Sequence, residues 1–280
     1  MTALLTDVVA WETAGPDALT SEAMVRRLRL HRTRPVGLET LIEHADLMQR
    51  TDRKYIAPVE TVRELVKAVR DTHQVLVIND RRYTTYRTMY FDTDEFTSAR
   101  AHVQGRRQRW KVRSRLYVED QLSRVEVKTK DNRGNTVKVM GNSHPDYFGT
   151  LEGDDRDFVE HHLSEFPDTD VRDLGPTAEV RYTRATLSDL DAGTRVTLDW
   201  GLSMHLATGD AWMDDRFVMV ETKGPTSLGR ADKILYELGV RPRGFSKYVS
   251  AASTLSPDIP ANDFASLRAS KILHSRAVEF

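Results

Sequence analysis

From Arg109 to Tyr117 (RWKVRSRLY) and from Arg124 to Lys130 (RVEVKTK), charge falls on every second position, and most positions between are apolar. Side chains alternate between the two faces of a strand, so this period of two predicts two adjacent β-strands. Arg109, Lys111, Arg113 and Arg115 then share one face, and Glu126, Lys128 and Lys130 share one face of the next strand. Trp110, Val112, Leu116, Val125 and Val127 supply only a thin apolar face. A solvated sheet face has this pattern, and so does a patch that binds RNA. If the apolar face packs outward against helices, the charges point inward and line a cage for a polyanion.

The rest of the chain alternates between the two periods. Strands are predicted at 52–58, 74–78, 83–92, 136–140, 178–187, 194–200, 202–207, 216–223 and 244–249, from β-branched and aromatic runs bounded by turn residues. Helices are predicted at 21–29 with Ser21 as its cap, at 60–71, from Thr93 or Asp94 to Gly105, around 155–163, and at 227–238, closed by Gly239. A further helix is predicted near Asp263–His274. This mixture gives an α+β fold. The predicted organisation is an N-terminal extension (1–44), one compact domain (45–250) and a helical tail (251–280). The arginines 26, 27, 29, 32 and 34 of the extension form a basic run, read first as a solvated face.

Composition narrows the chemistry. The 280 residues carry a net charge of −1, so no global field draws the protein to nucleic acid or membrane. Any anion site must come from local clustering. There are no cysteines, which excludes disulfides, thiolate zinc sites and cysteine nucleophiles. The histidines show no H-x-H or H-E-x-x-H spacing, and there is no P-loop. The first residues, MTALLTDVVAWETAGPD, lack a basic start and a long apolar run, and no window reaches the roughly 20 apolar residues of a membrane span. A soluble cytoplasmic protein is the expectation.

The charged residues inside predicted strands are Lys54, Lys111, Arg113, Arg115, Glu126, Lys128, Lys130, Lys138, Arg184, Arg195, Glu221, Lys223 and Lys247. Cations dominate this set. Unpaired burial of so many would be prohibitive, so a strongly anionic ligand must neutralise them. Phosphate chains fit best: Arg offers a planar fork and Lys a mobile point charge. The acids then have a second task. Glu221, with or without Glu126, would hold a divalent cation that bridges phosphate oxygens; Glu126 pairing with a tunnel lysine is the plainer alternative. Asp199 would cap a turn or join the charge network.

Eight segments, DRKYIAP (52–58), YFDT (90–93), RWKVRSRLY (109–117), VEVKTK (125–130), VRYTRATL (180–187), RVTLD (195–199), VETKG (220–224) and SKY (246–248), occur in an order that resembles the VTC domain. That domain is the polyphosphate polymerase module of the triphosphate tunnel (CYTH-like) superfamily. The resemblance implies an antiparallel eight-stranded β-barrel tunnel with helices packed outside. It also implies transfer of the γ-phosphate of ATP to a growing polyphosphate chain, with Mn2+ or Mg2+ as cofactor. Carried over motif by motif, the catalytic residues would be Lys54, Arg113, Arg115, Lys128, Arg184, Arg195 and Lys247. Lys111, Lys130, Lys138, Glu126 and Lys223 would bind substrate, and Glu221 the metal. ATP and polyphosphate would be the partners, with no nucleic acid; family habit adds a membrane protein that receives the chain. Two departures matter. The first strand reads Arg50-Thr51-Asp52-Arg53-Lys54 where hydrolases and cyclases of the superfamily have E-x-E-x-K, which favours the polymerase branch over a triphosphatase. The SPX domain and membrane helices of eukaryotic relatives are missing from this sequence.

Overall fold

The computed structural model describes residues 20–44, 51–166, 169–260 and 265–277. The expectations for residues 1–19, for Arg50 and for the start of a tail helix at Asp263 lie outside the described residues.

The chain opens with α1 (Ser21–Arg27), capped by Thr20, whose hydroxyl accepts from the Ala23 amide. Ser21 therefore begins the helix instead of capping it. β1 (Pro35–Val36) and α2 (Leu38–Glu43) follow. β2 (Thr51–Pro58) ends at its proline, which cannot donate to a ladder, and runs directly into α3 (Val59–Val69). Val59, Val62, Leu65, Val66 and Val69 bury one face of that helix at the spacing the sequence shows. Next come β3 (Gln74–Leu76), β4 (Thr84–Asp92), α4 (Thr97–Val103), and the charged pair β5 (Arg109–Tyr117) and β6 (Leu122–Lys130). β7 (Thr136–Ser143), α5 (Gly153–Leu163), β8 (Gly175–Asp189), β9 (Thr194–Leu206), β10 (Gly209–Met213) and β11 (Phe217–Gly224) continue the chain. α6 (Arg230–Glu237), α7 (Lys247–Leu255), α8 (Ala265–Ala269) and β12 (Leu273–Ala277) complete it.

Eight strands run side by side and antiparallel in the order β7-β6-β5-β4-β8-β9-β11-β2. β10 and β12 continue from β9, and β3 with its parallel partner β1 attaches to β8. The outermost strands of the eight, β2 and β7, are not hydrogen-bonded to each other. The sheet is nonetheless rolled. Lys54 on β2 lies close enough to Lys111 on β5 and Lys128 on β6 to depress their readiness to hold a proton or be depressed by them.

Helices flank the roll. α1, α3 and α6 bury apolar side chains of β2, β8, β9 and β11, among them Tyr55, Leu187, Leu198 and Val220. α5 covers Trp110, Val112, Val125 and Val127, so the thin apolar face of the charged pair does point outward. α7 packs against β8, β9 and β10, and its Tyr248, Val249 and Ala252 join Val180, Tyr182 and Met204 in a third apolar cluster. No helix among the described residues is long and apolar enough to cross a membrane.

Several element expectations are corrected. Residues 244–249 are not a strand: the Ser246 hydroxyl accepts from the Val249 amide, and this N-cap starts α7 despite the β-favouring Tyr248 and Val249. The two strands expected at 194–200 and 202–207 are one, β9. Between its pairings Trp200↔Thr183 and Ser203↔Arg181 it carries one extra residue, and Gly201 takes φ +59° there, as a bulge requires. The glycine reads as a break in sequence but only re-aims the strand. α4 begins at Thr97, later than expected, behind a left-handed Phe96. In the tail, a five-residue helix gives way to β12, which adds to β10.

Candidate active site

The registers gather the charges on one face. Directly opposed residues in a ladder share a face. Arg109 opposes Lys130, Lys111 opposes Lys128, and Lys128 opposes Lys138 on its other side. Arg113 opposes Glu126 and Tyr90; Arg115 opposes Thr88. Across the roll, Arg184 opposes Asp199, Lys54 opposes Glu221, and Lys223 opposes both Asp52 and Arg195. Every strand-borne candidate named from the sequence therefore lies on this inner face. Lys247 reaches it from the first turn of α7 and not from a strand. Lys130 and Arg109 sit at the end of their ladder, at the mouth.

Two buried carboxylates organise the arginines. Glu126, only 2% exposed, accepts from Arg113 Nε at 2.7 Å and lies 3.3 Å from Arg115 and 3.2 Å from Lys138. Burial pushes its carboxyl up, but the three cations outweigh that and hold it well below the usual carboxylate range. Glu126 is thus a counter-ion for two arginines and a lysine. Asp199 plays the same part opposite: it accepts from Arg184 at 2.6 and 2.8 Å and from Lys247 at 2.5 Å. Burial is again overcome by these cations, and Asp199 stays ionised.

The lysines are treated differently. Lys54 Nζ donates to the Phe245 carbonyl at 2.7 Å, and Lys111 Nζ to the Ser246 hydroxyl at 2.9 Å. Burial lowers the proton affinity of Lys54, Lys111 and Lys128; Lys54 and Lys128 lower that of Lys111 further, and Lys128 that of Lys54, while Glu221 partly offsets the fall at Lys54 and Asp52 that at Lys128. The strongest charged neighbours of Lys111 are Lys54, Lys128, Arg109 and Arg113, all of them cations. Lys138 is brought down to about 8, by burial first and by Arg113 and Arg115 after it. The protein has concentrated positive charge here without enough carboxylate to match, and an anion would relieve it.

Glu221 stands among these cations, 3.4 Å from Lys223 and 4.0 Å from Arg184. Burial raises its carboxyl, and Lys223, Arg184, Lys54 and Lys247 together bring it to about 2. It is ionised, as a ligand for a hard cation must be. Among the described residues no three acids or histidines cluster as a metal cage. The residues fit a divalent ion that arrives with phosphate oxygens and takes a single protein carboxylate, which is the habit of magnesium. A bare ion would meet the surrounding lysines first.

Some residues of the site were not singled out from the sequence. Tyr86, Tyr90 and Tyr182 carry the guanidinium groups on their faces: Arg115 and Arg184 lie 5.4 Å from the Tyr86 ring, and Lys247 lies 4.2 Å from that of Tyr182. A signal existed, since Tyr86 and Tyr90 alternate in phase along YTTYRTMY. His102, on α4, is held neutral, its proton affinity brought down to about 3 by burial and then by Lys111, Arg109, Lys54 and Lys128. Nothing in its sequence context marks it.

Comparison with known proteins gives a family and a set of folds. Residues 49–256 match the VTC domain. Solved structures that match include a proposed adenylyl cyclase from Hippeastrum described as having a dominant triphosphatase activity (16% identity, TM-score 0.48, covering 74% of this chain and 96% of that one). Others are a proposed adenylate cyclase from Bacillus halodurans (16% identity, TM-score 0.45, 70% and 92%) and a protein from Pyrococcus horikoshii (15% identity, TM-score 0.40, 73% and 98%). No curated protein matches the chain.

Proposed function

We propose that this chain, which belongs to the VTC domain family, is a polyphosphate polymerase that transfers the γ-phosphoryl group of ATP to a polyphosphate chain lying along the inner face of the roll. The incompletely compensated lysine cluster supports a ligand with closely spaced negative charges, since one phosphate could not meet Lys54, Lys111, Lys128 and Lys138 together with Arg113, Arg115 and Arg184.

The state of the acids supports transfer to phosphate over transfer to water. Glu126, Asp199 and Glu221 are all held ionised by cations, Glu126 and Asp199 through direct contacts, and each is a weak base. A terminal phosphate of the chain needs no proton removed. Its oxygen attacks the γ-phosphorus, the bond from the γ-phosphorus to the β–γ bridging oxygen breaks, and ADP leaves with that electron pair. Positioning and charge neutralisation then do most of the catalytic work. Arg113 and Arg115, fixed by Glu126, and Arg184, fixed by Asp199, present guanidinium forks to the equatorial oxygens. Lys247, beside Arg184, and Lys54, beside Glu221, meet the charge on the bridging side. Glu221 would hold Mn2+ or Mg2+, which would supply positive charge beside the transferring phosphate. Lys111, Lys128, Lys130, Lys138, Lys223 and Arg195 would bind the remainder of the chain and the nucleotide phosphates.

A cytoplasmic setting and, from the family resemblance, a membrane-embedded partner that takes up the polymer complete the reading. Incubation with ATP labelled at the γ-position and, separately, at the α-position tests it: γ-label should enter polymer while α-label stays in ADP. Release of the γ-label as orthophosphate alone sinks the polymerase reading and leaves a triphosphatase. Tight polyanion binding without turnover leaves a binding module.

A further inference from the structure

Arg113 is held from two sides, and one of them leads out of the tunnel into buried structure that no catalytic role explains. On one side is Glu126. On the other, Arg113 Nη1 donates to the Tyr90 hydroxyl at 3.3 Å. The Tyr90 ring stacks on Tyr248 with centroids 4.8 Å apart and planes 17° from parallel. The Tyr248 hydroxyl donates to Asp92 Oδ2 at 2.5 Å. Asp92 also accepts from the amides of Thr93, Ser98 and Ala99, which fixes it to the first turn of α4. Asp92 and Tyr248 are each 1% exposed, so neither can touch substrate. Tyr248 directly follows Lys247, which pairs with Asp199 across the tunnel.

We infer that Asp92 and Tyr248 are positioning residues that lock Arg113 on β5 and Lys247 on α7 into one geometry for the phosphate chain. The relay is built of a short hydrogen bond, a ring stack and a second hydrogen bond, and it is the described connection between the N-terminus of α7 and β5 that runs through Arg113. Loosening it would leave every charge in place but let two of them drift. Small displacements of groups that bind a transition state are costly.

The inference rests on the reading of the site as one for phosphate chains, so the test uses binding of tripolyphosphate, measured by calorimetry without metal. Tyr248→Phe keeps the ring and removes only the hydroxyl, and Tyr90→Phe removes the acceptor for Arg113. Each should weaken tripolyphosphate about tenfold, with a cooperative melt retained, as coupling of contacting residues allows. In an Arg113→Lys background, which cannot reach the Tyr90 hydroxyl with the same fork, Tyr90→Phe should weaken binding no further, and Tyr248→Phe should keep only the part of its loss that runs through Lys247. If Tyr248→Phe and Tyr90→Phe bind as wild type does, or if the full Tyr90→Phe loss multiplies with that of Arg113→Lys, the relay does not position Arg113. A wild-type protein that fails to bind tripolyphosphate overturns the phosphate-chain reading, and the relay with it. If Tyr248→Phe does not fold, Tyr90→Phe decides the matter alone.

Discussion

Glu126 and Glu221 are both glutamates on the inner face of the roll, two residues before a lysine in an E-x-K pair, and the sequence gives them the same signature. Their surroundings separate them. Glu126 contacts Arg113, Arg115 and Lys138 and is consumed as their counter-ion. Glu221 keeps longer distances to its cations and faces the lysine cluster. Glu126→Gln should therefore act on folding: removing one partner of a buried charge network costs about 3 kcal/mol. Chemical denaturation at neutral pH should show this loss, and added tripolyphosphate should recover much of it. Glu221→Gln should act on the reaction instead. Folding should be little changed, metal-free tripolyphosphate should bind at least as tightly, and turnover under saturating Mn2+ or Mg2+ should fall by about 100-fold, or near 2.7 kcal/mol of barrier. At this scale the sequence is legible where alternation decides the face, as for Lys111, Arg113 and Lys128. It is silent on which acid pairs with which cation, because that depends on neighbours brought in by other strands and by α7. Asp199 is the clearest case. In RVTLD it shares phase with Arg195, yet only β8 brings Arg184 to it.

Among the elements, α7 changes most between sequence and structure. SKYV reads as a strand by propensity, and a serine hydroxyl overrides it by capping a helix. The same hydroxyl is the acceptor for Lys111 Nζ. Ser246→Ala should lower stability by about 1 kcal/mol, as loss of an N-cap does. Ser246→Asp separates the cap from the site. Aspartate caps as well as serine, so the helix should persist, but its carboxylate beside Lys111 would compete with phosphate. Thermal stability should be equal or higher, while tripolyphosphate affinity falls about tenfold, or 1.4 kcal/mol. Unchanged affinity would place Lys111 outside the binding site. The charged pair β5–β6 was legible because both its faces are patterned. β10 and β12 were not, since five-residue strands at the end of a sheet carry too few alternations to register. The split of β9 at Gly201 failed for a physical reason: a glycine marks a break and a bulge in the same way.

For the molecule as a whole, the lysine cluster makes the ligand-free state pay in stability for readiness to bind. Folding lowers the proton affinity of Lys54, Lys111 and Lys128, and that of Lys138 to about 8 from 10.5. Above pH 8 the folded protein releases the Lys138 proton while the unfolded chain still holds it. The unfolded state then binds more protons, so stability rises with pH. Ligand-free protein should melt at higher temperature at pH 9.5 than at pH 7.5. With tripolyphosphate bound, the lysines regain a reason to stay charged, and this rise should flatten or reverse. A ligand-free melting temperature that is flat or falls over this interval would mean that the cluster is not strained. Under the proposed function, this strained cluster serves ATP-driven chain growth. Its most direct measurement is a time course with ATP and Mn2+ or Mg2+, with ADP counted and the phosphate product sized on a gel. ADP should appear in step with phosphate held in long chains. Orthophosphate matching ADP, with no polymer at any time, would contradict it.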